Sequence, residues 1–147
     1  MTNILDHGLD FNSKISFCDD GTQLTNDAGL FLTTEFLQKI DFDKMIKSFL
    51  PQIDSRCRPK HGFSELLTQL LLQKIAGYQN DSMITALTKD VALKLCLGTD
   101  QLASQPTISR FINRLDQTAT DGFSRLNLAL NRRLIAQSNQ SDMVLDV

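Results

Sequence analysis

The side chains best suited to chemistry fall in one short stretch, PTISRFINRL at residues 106–115. Read as a helix, it turns Ile108, Phe111, Ile112 and Leu115 inward at the i, i+3, i+4, i+7 spacing of a buried stripe. Thr107, Ser109, Arg110, Asn113 and Arg114 are left facing outward. Short hydroxyls at a helix start, then an arginine and an asparagine about one turn apart, reach phosphate oxygens and base edges. Upstream lie VALKLCLG and TDQLASQ, residues 91–105, so two helices are joined by a glycine-containing connection. That is the scaffold of helix-turn-helix modules, whose second helix enters the major groove. The connection is longer than the three- or four-residue turn of a strict helix-turn-helix. An ordinary amphipathic helix with a wet polar face has the same pattern, and these residues alone leave the two readings open.

A second group, Arg56, Arg58 and Lys60, stands in the loop PQIDSRCRPKHG at residues 51–62. A basic loop of this kind grips a phosphate backbone, or simply faces solvent. Cys57 and His61 have a metal-like spacing but no second ligand pair nearby, which argues against zinc. His7 and His61 lack catalytic partners, and neither a Gly-rich phosphate loop nor a nucleophile elbow is present. Arg125, Arg132 and Arg133 form a basic helix edge. The charge is divided unevenly: residues 1–54 carry −5 and residues 55–147 carry +3, with all seven arginines in the second part. Arginine presents a planar fork of donors that matches phosphate oxygens and guanine edges, so this bias favours an anionic partner.

Composition bounds the rest. At 147 residues, 41% hydrophobic and 22% charged with net charge −2, the chain suits one domain of ordinary size. Wholesale disorder and collagen-like or mucin-like architecture are excluded. No apolar run approaches the length of a membrane span, and MTNILDHGLDF lacks the basic and apolar regions of a signal peptide. Cys18, Cys57 and Cys96 are scattered and odd in number, the usage expected of reduced thiols in a cytoplasmic protein.

The positioning elements read as helices. A short extended piece is expected over residues 14–18, followed by the turn Asp19-Asp20-Gly21. Thr25 or Asn26 caps a helix over 27–40, with Leu30, Phe31, Phe36, Leu37 and Ile40 largely on one side. A short helix over 43–50 ends at Pro51. Ser64 caps the strongest helix, 65–78, whose stripe is Leu66, Leu67, Leu70, Leu71, Ile75 and Tyr78, widened by Leu72. After an amphipathic segment at 82–88, Asp90 caps 91–97, and Gly98 suits a left-handed C-terminal position. Pro106 opens the helix over 106–115. Asp121 caps a helix to about residue 137, with Phe123, Leu126, Leu130 and Leu134 in line and Leu128 and Ile135 beside them. A polar linker, 138–142, leads into MVLDV at 143–147, which reads as the start of a buried strand.

From about Leu24 to the last residue, the chain resembles the N-terminal region of bacterial insertion-sequence transposases of the DDE type. The stretches that carry the resemblance are LTNDAGLFLTTEFLQKI, HGFSELLTQLLLQKIAGYQND, DVALKLCLG, LASQPTISRFINRL and MVLDV. The most specific feature is QKIAGYQND followed at the right separation by LASQPTISRF. The resemblance implies a mainly α fold in three parts: an extended segment over 1–23, a helical DNA-binding and assembly region over 24–137, and over 138–147 a linker with the first strand of a ribonuclease-H-like core. It implies double-stranded DNA, the terminal inverted repeats of the element, as partner, with a second copy or a full-length transposase as further partners. Asp146 matches the first acidic residue of the family's catalytic strand pattern, in which carboxylates hold divalent ions such as Mg²⁺. One carboxylate on a terminal strand does not build a two-metal cage. The expectation is therefore a truncated transposase that binds DNA without a bound cofactor and without cutting. The competing expectation, from a different class, is a helical protein–protein interaction or oligomerisation module. In that reading the apolar stripe over 65–78 and the acidic first third dock on a partner. A third is a remnant that does not fold stably alone.

Overall fold

A computed structural model describes residues 9–12, 15, 27–50, 59–80, 83, 87 and 91–137. Among these residues it holds six helices: α1 (Gly29–Lys39), α2 (Phe42–Phe49), α3 (Phe63–Ile75), α4 (Val91–Leu97), α5 (Gln105–Ile112) and α6 (Gln117–Gln137). The chain is mainly α, as expected. The only bridge among the described residues joins Leu9 and Asn12. The extended piece at 14–18, apart from Ile15, and the strand at 143–147 lie outside the described residues. So do the caps assigned to Thr25, Asn26 and Asp90, and most of the segment at 82–88.

α3 is the axis, and two apolar clusters form around it. The first gathers Ile46 and Leu50 from α2 and its end, Phe63, Leu66 and Leu67 from α3, Ile108 and Phe111 from α5, and Leu126 from α6. The second gathers Leu30 and Phe31 from α1, Leu72 from α3, and Ala92, Leu93 and Cys96 from α4, with Leu9, Leu87 and Leu102 added. Each element therefore buries one stripe against α3 or against a helix that touches it, the arrangement amphipathic helices require.

Local chemistry sets the helix ends. The N-cap of α3 is Gly62 rather than Ser64, which lies inside the first turn. The helix stops three residues short of Tyr78 because Gly77 takes φ +88°. There Gly77 N–H donates to the Lys74 carbonyl (3.1 Å) and Tyr78 N–H to that of Gln73 (3.0 Å), the paired bonds of a Schellman ending. The same motif closes α4 at Gly98, with φ +61°, as expected. Thr99 N–H there donates to the Lys94 carbonyl (3.1 Å). α6 starts earlier than Asp121, because the Asp116 carboxylate accepts from Ala119 N–H (3.0 Å) and is the cap. A Cβ on Gly122 would stand 2.7 Å from the Phe49 carbonyl oxygen, so α6 crosses the end of α2 at a distance that glycine permits.

Two apolar stripes sit differently from their sequence pattern. α3 buries Gln69 and Gln73 together with Leu66 and Leu72, while Ile75 is 51% exposed. On α1, Leu30, Phe31 and Thr34 face inward and Phe36 is 44% exposed. Phe36 lies two residues beyond Thr34, roughly 200° around the helix, and so leaves the buried arc.

Candidate nucleic-acid interface

α5 is anchored from below and open above. Ile108 and Phe111 are buried, and the Phe111 ring meets that of Phe63 on α3 edge to face, with centroids 5.2 Å apart at 73°. Ser104 is the N-cap residue, with extended backbone, and Pro106 lies in the first turn. The Ser104 and Thr107 hydroxyls share a hydrogen bond (3.0 Å), which ties the start of the helix to its own first turn. The helix ends at Ile112 rather than Leu115, because Arg114 N–H turns back to the Phe111 carbonyl (3.1 Å) and Leu115 N–H to that of Ile112 (3.0 Å).

Of the five residues expected to face outward, Arg110 and Asn113 are exposed, while Thr107, Ser109 and Arg114 stand half-buried at the edges of that face. Ile112, expected inside, is 37% exposed. It is the last residue of the helix, and Ile108 and Phe111 make the buried line. The outward face therefore carries one guanidinium and one carboxamide on a rigid turn, with hydroxyls beside them. Such side chains hydrogen-bond both phosphate oxygens and base edges.

α4 and α5 each pack on α3, from opposite clusters, and the loop over 98–104 passes between the clusters. Leu102 is buried with α4 and Ala103 with α5. Gln69, fully buried on α3, donates its amide to the Ala103 carbonyl (3.0 Å) and accepts from Ala103 N–H (2.8 Å). Lys60 reaches the same loop, its ammonium donating to the Gln101 side chain (2.7 Å). Gln101 is itself held in a turn by the Thr99 hydroxyl. The structure thus brings Lys60 to the segment that leads into α5. Arg56 and Arg58 lie outside the described residues, as do Cys57, His7 and Asp146.

His61 is buried, and its Nδ1 lies 2.7 Å from a Glu65 carboxylate oxygen, a latch across the start of α3. Arg125 and Arg132 are exposed on α6, whereas Arg133 donates to the Ile40 carbonyl. Gln69 and Gln101 support the segment leading into α5, and charge and motif reading overlooks both. Gln69 had a signal, a polar side chain three residues from both Leu66 and Leu72 in an otherwise apolar stripe.

The perturbed carboxylates lie away from α5. The hydrogen bond and charge of Lys44 hold Asp41 below the ordinary range, and a hydrogen bond from Lys47 does the same for Asp43. Burial works against the charge of Glu35, but Phe11 N–H and Lys39 outweigh it, and its pKa also falls. Among the described residues no group of three His, Cys, Asp or Glu side chains converges as a metal site. Among them, too, no helix is long and apolar enough to cross a membrane.

The profile of the family described as "Transposase DDE domain group 1" matches residues 7–147. No curated protein and no solved structure matches the chain.

Proposed function

Because the chain belongs to the DDE transposase family, group 1, we propose that its helical region, residues 24–137, binds the terminal inverted repeats of an insertion sequence. In this reading α5 meets the duplex, with Arg110 and Asn113 on its exposed face and Thr107, Ser109 and Arg114 at the edges. Lys60, Arg56 and Arg58 add phosphate contacts. The observation that carries the reading is the mounting of α5. Ile108, Phe111 and the Gln69–Ala103 bonds hold it from beneath while Arg110 and Asn113 stand open to a partner. A reading helix needs that combination of rigid support and free polar face.

The test is a gel shift on end-sequence duplexes with Arg110→Ala and Arg114→Ala. Loss of a phosphate contact weakens all sequences alike and flattens the salt dependence. Loss of a base contact costs about 1–3 kcal/mol at one position. Unchanged binding in both variants would remove α5 as the reading helix. Asp146 belongs, in the same reading, to the catalytic strand of the family. Metal-dependent cleavage that survives Asp146→Asn would overturn that assignment.

A second reading rests on α6, where Leu128, Leu134 and Ile135 are each about half exposed. These residues suit an apolar protein–protein contact, with a second copy or a full-length transposase as partner. Salt separates the two readings. DNA binding weakens steeply as counterions return to the phosphates, whereas an apolar contact does not.

A further inference from the structure

We infer that Gln69 is the positioning residue of α5, fixing where that helix sits through both peptide groups of Ala103. The inference rests on the reading of α5 as the DNA-contacting helix and names what sets its orientation. Gln69 is fully buried in a stripe of leucines, where a carboxamide is unfavourable unless both its donor and its acceptor are paired. Both are paired, and on one residue: Nε2 donates to the Ala103 carbonyl (3.0 Å) and Oε1 accepts from Ala103 N–H (2.8 Å). The side chain thereby acts as a strand neighbour would, in a region with no strand among the described residues.

The place of the contact matters as much as its strength. Ala103 is the residue at which the chain leaves the α1/α4 cluster, where Leu102 is buried, and enters the cluster of α2, α5 and α6. The next residue, Ser104, is the N-cap of α5. Fixing the two peptide groups of Ala103 fixes the direction in which α5 departs, and with it the aim of Arg110 and Asn113. Methionine would fill the same volume without a polar atom, so filling space does not account for a glutamine here. Direction does: two bonds to one backbone residue hold an angle that apolar contact leaves free.

The experiment follows amide hydrogen exchange by NMR on the whole chain, in wild type and in Gln69→Met. Binding is measured to a duplex enriched from a random pool by the wild type and to a scrambled duplex. In Gln69→Met, Ala103 N–H should exchange at least tenfold faster while Leu72 and Leu93 N–H change less than threefold. Preference for the enriched over the scrambled duplex should fall at least fivefold, with scrambled-duplex affinity within twofold of wild type. An Ala103 amide as protected as before, or one that speeds up only in step with Leu72 and Leu93, would reduce Gln69 to a core filler. Selectivity left intact despite a freed Ala103 would also overturn the inference. The wild type supplies an arm that needs no variant to fold: the Gln69 Nε2 protons should exchange as slowly as core amides. Exchange at the rate of exposed carboxamides would sink the clamp. A wild type that binds no duplex would end the DNA reading of α5, while the Ala103 and Nε2 exchange rates would still decide whether the clamp exists.

Discussion

The two ends of α3 support different neighbourhoods. Towards its start, α3 meets α2 and α5, α6 packs on α2 in the same cluster, and Gln69 reaches out to hold Ala103. Towards its end, Leu72 meets α1 and α4, and the N-terminal Leu9 joins them. The first neighbourhood presents a polar helix face to solvent over a fixed base. The second is closed chiefly by aliphatic side chains and by Phe11 stacked on Phe31, with centroids 6.3 Å apart. In the first neighbourhood a buried pair of polar bonds fixes the course of the chain at Ala103, whereas the second is closed mainly by apolar contact.

The sharpest way to break that division is to cut one anchor on each side. Phe111→Ala removes the partner of Phe63 and should cost about 3–5 kcal/mol, and Leu93→Ala about 2–5 kcal/mol, read by urea titration. Their effects on DNA should differ more than their stabilities. Under conditions where both remain folded, Leu93→Ala should leave duplex affinity within about threefold of wild type. Phe111→Ala should weaken it at least tenfold, since α5 loses its buried support. Equal losses of binding would mean that the two neighbourhoods act as one.

Much of this arrangement is legible in the sequence, and the part that is not has a common cause. Local rules found the helices, the left-handed end at Gly98, the Pro106 start and the exposed pair Arg110 and Asn113. Where local candidates competed, the pattern chose wrongly. The pattern puts the cap of α6 at Asp121, but Asp116 holds it, because the buried Ala119 lies inside the helix. Periodicity counts glutamine as polar and turns it outward, so it draws the α3 stripe through Ile75 instead of Gln69 and Gln73. A buried carboxamide becomes reasonable only once its partner is known, and Ala103 lies 34 residues away. Lys60 is similar: its charge is plain, but its bond to Gln101 spans 41 residues. No property of residues 51–62 alone could place it beside α5.

Gln73 sharpens the comparison with a smaller effect. It lies one turn beyond Gln69 and is 2% exposed, yet its Nε2 finds no hydrogen-bond partner among the described residues. An unpaired buried donor destabilises, and an apolar replacement removes that penalty. Gln73→Leu should therefore raise stability by about 1 kcal/mol, visible as a higher melting temperature by circular dichroism. Gln69→Leu, the identical change one turn away, should lower it, because Ala103 is left with two unpaired peptide groups. Matching signs for the two substitutions would refute the claim that satisfied polar bonds distinguish the start of α3 from its end.

The smallest effect concerns how the second neighbourhood holds its N-terminal segment, and it depends on pH. Glu35 on α1 accepts from Phe11 N–H (3.2 Å) and pairs with Lys39 (3.3 Å). Burial opposes its charge, but these two partners prevail and its folded pKa lies below the ordinary value. A carboxylate depressed on folding stabilises above its unfolded pKa, and that contribution disappears as pH falls through the folded one. Glu35→Gln keeps an acceptor for Phe11 N–H but has no charge to lose. Wild type should therefore exceed Glu35→Gln in stability at pH 7, by less than about 1 kcal/mol since Lys39 is largely exposed. The gap should close as pH falls below about 4, the window set by the unfolded glutamate. Paired thermal melts at pH 7 and pH 3 measure it. A gap that persists unchanged at pH 3 would show that the carboxylate charge has no part in tying Phe11 to α1. In either result α5 should bind DNA as before, because Glu35 acts wholly within the neighbourhood that encloses and does not aim.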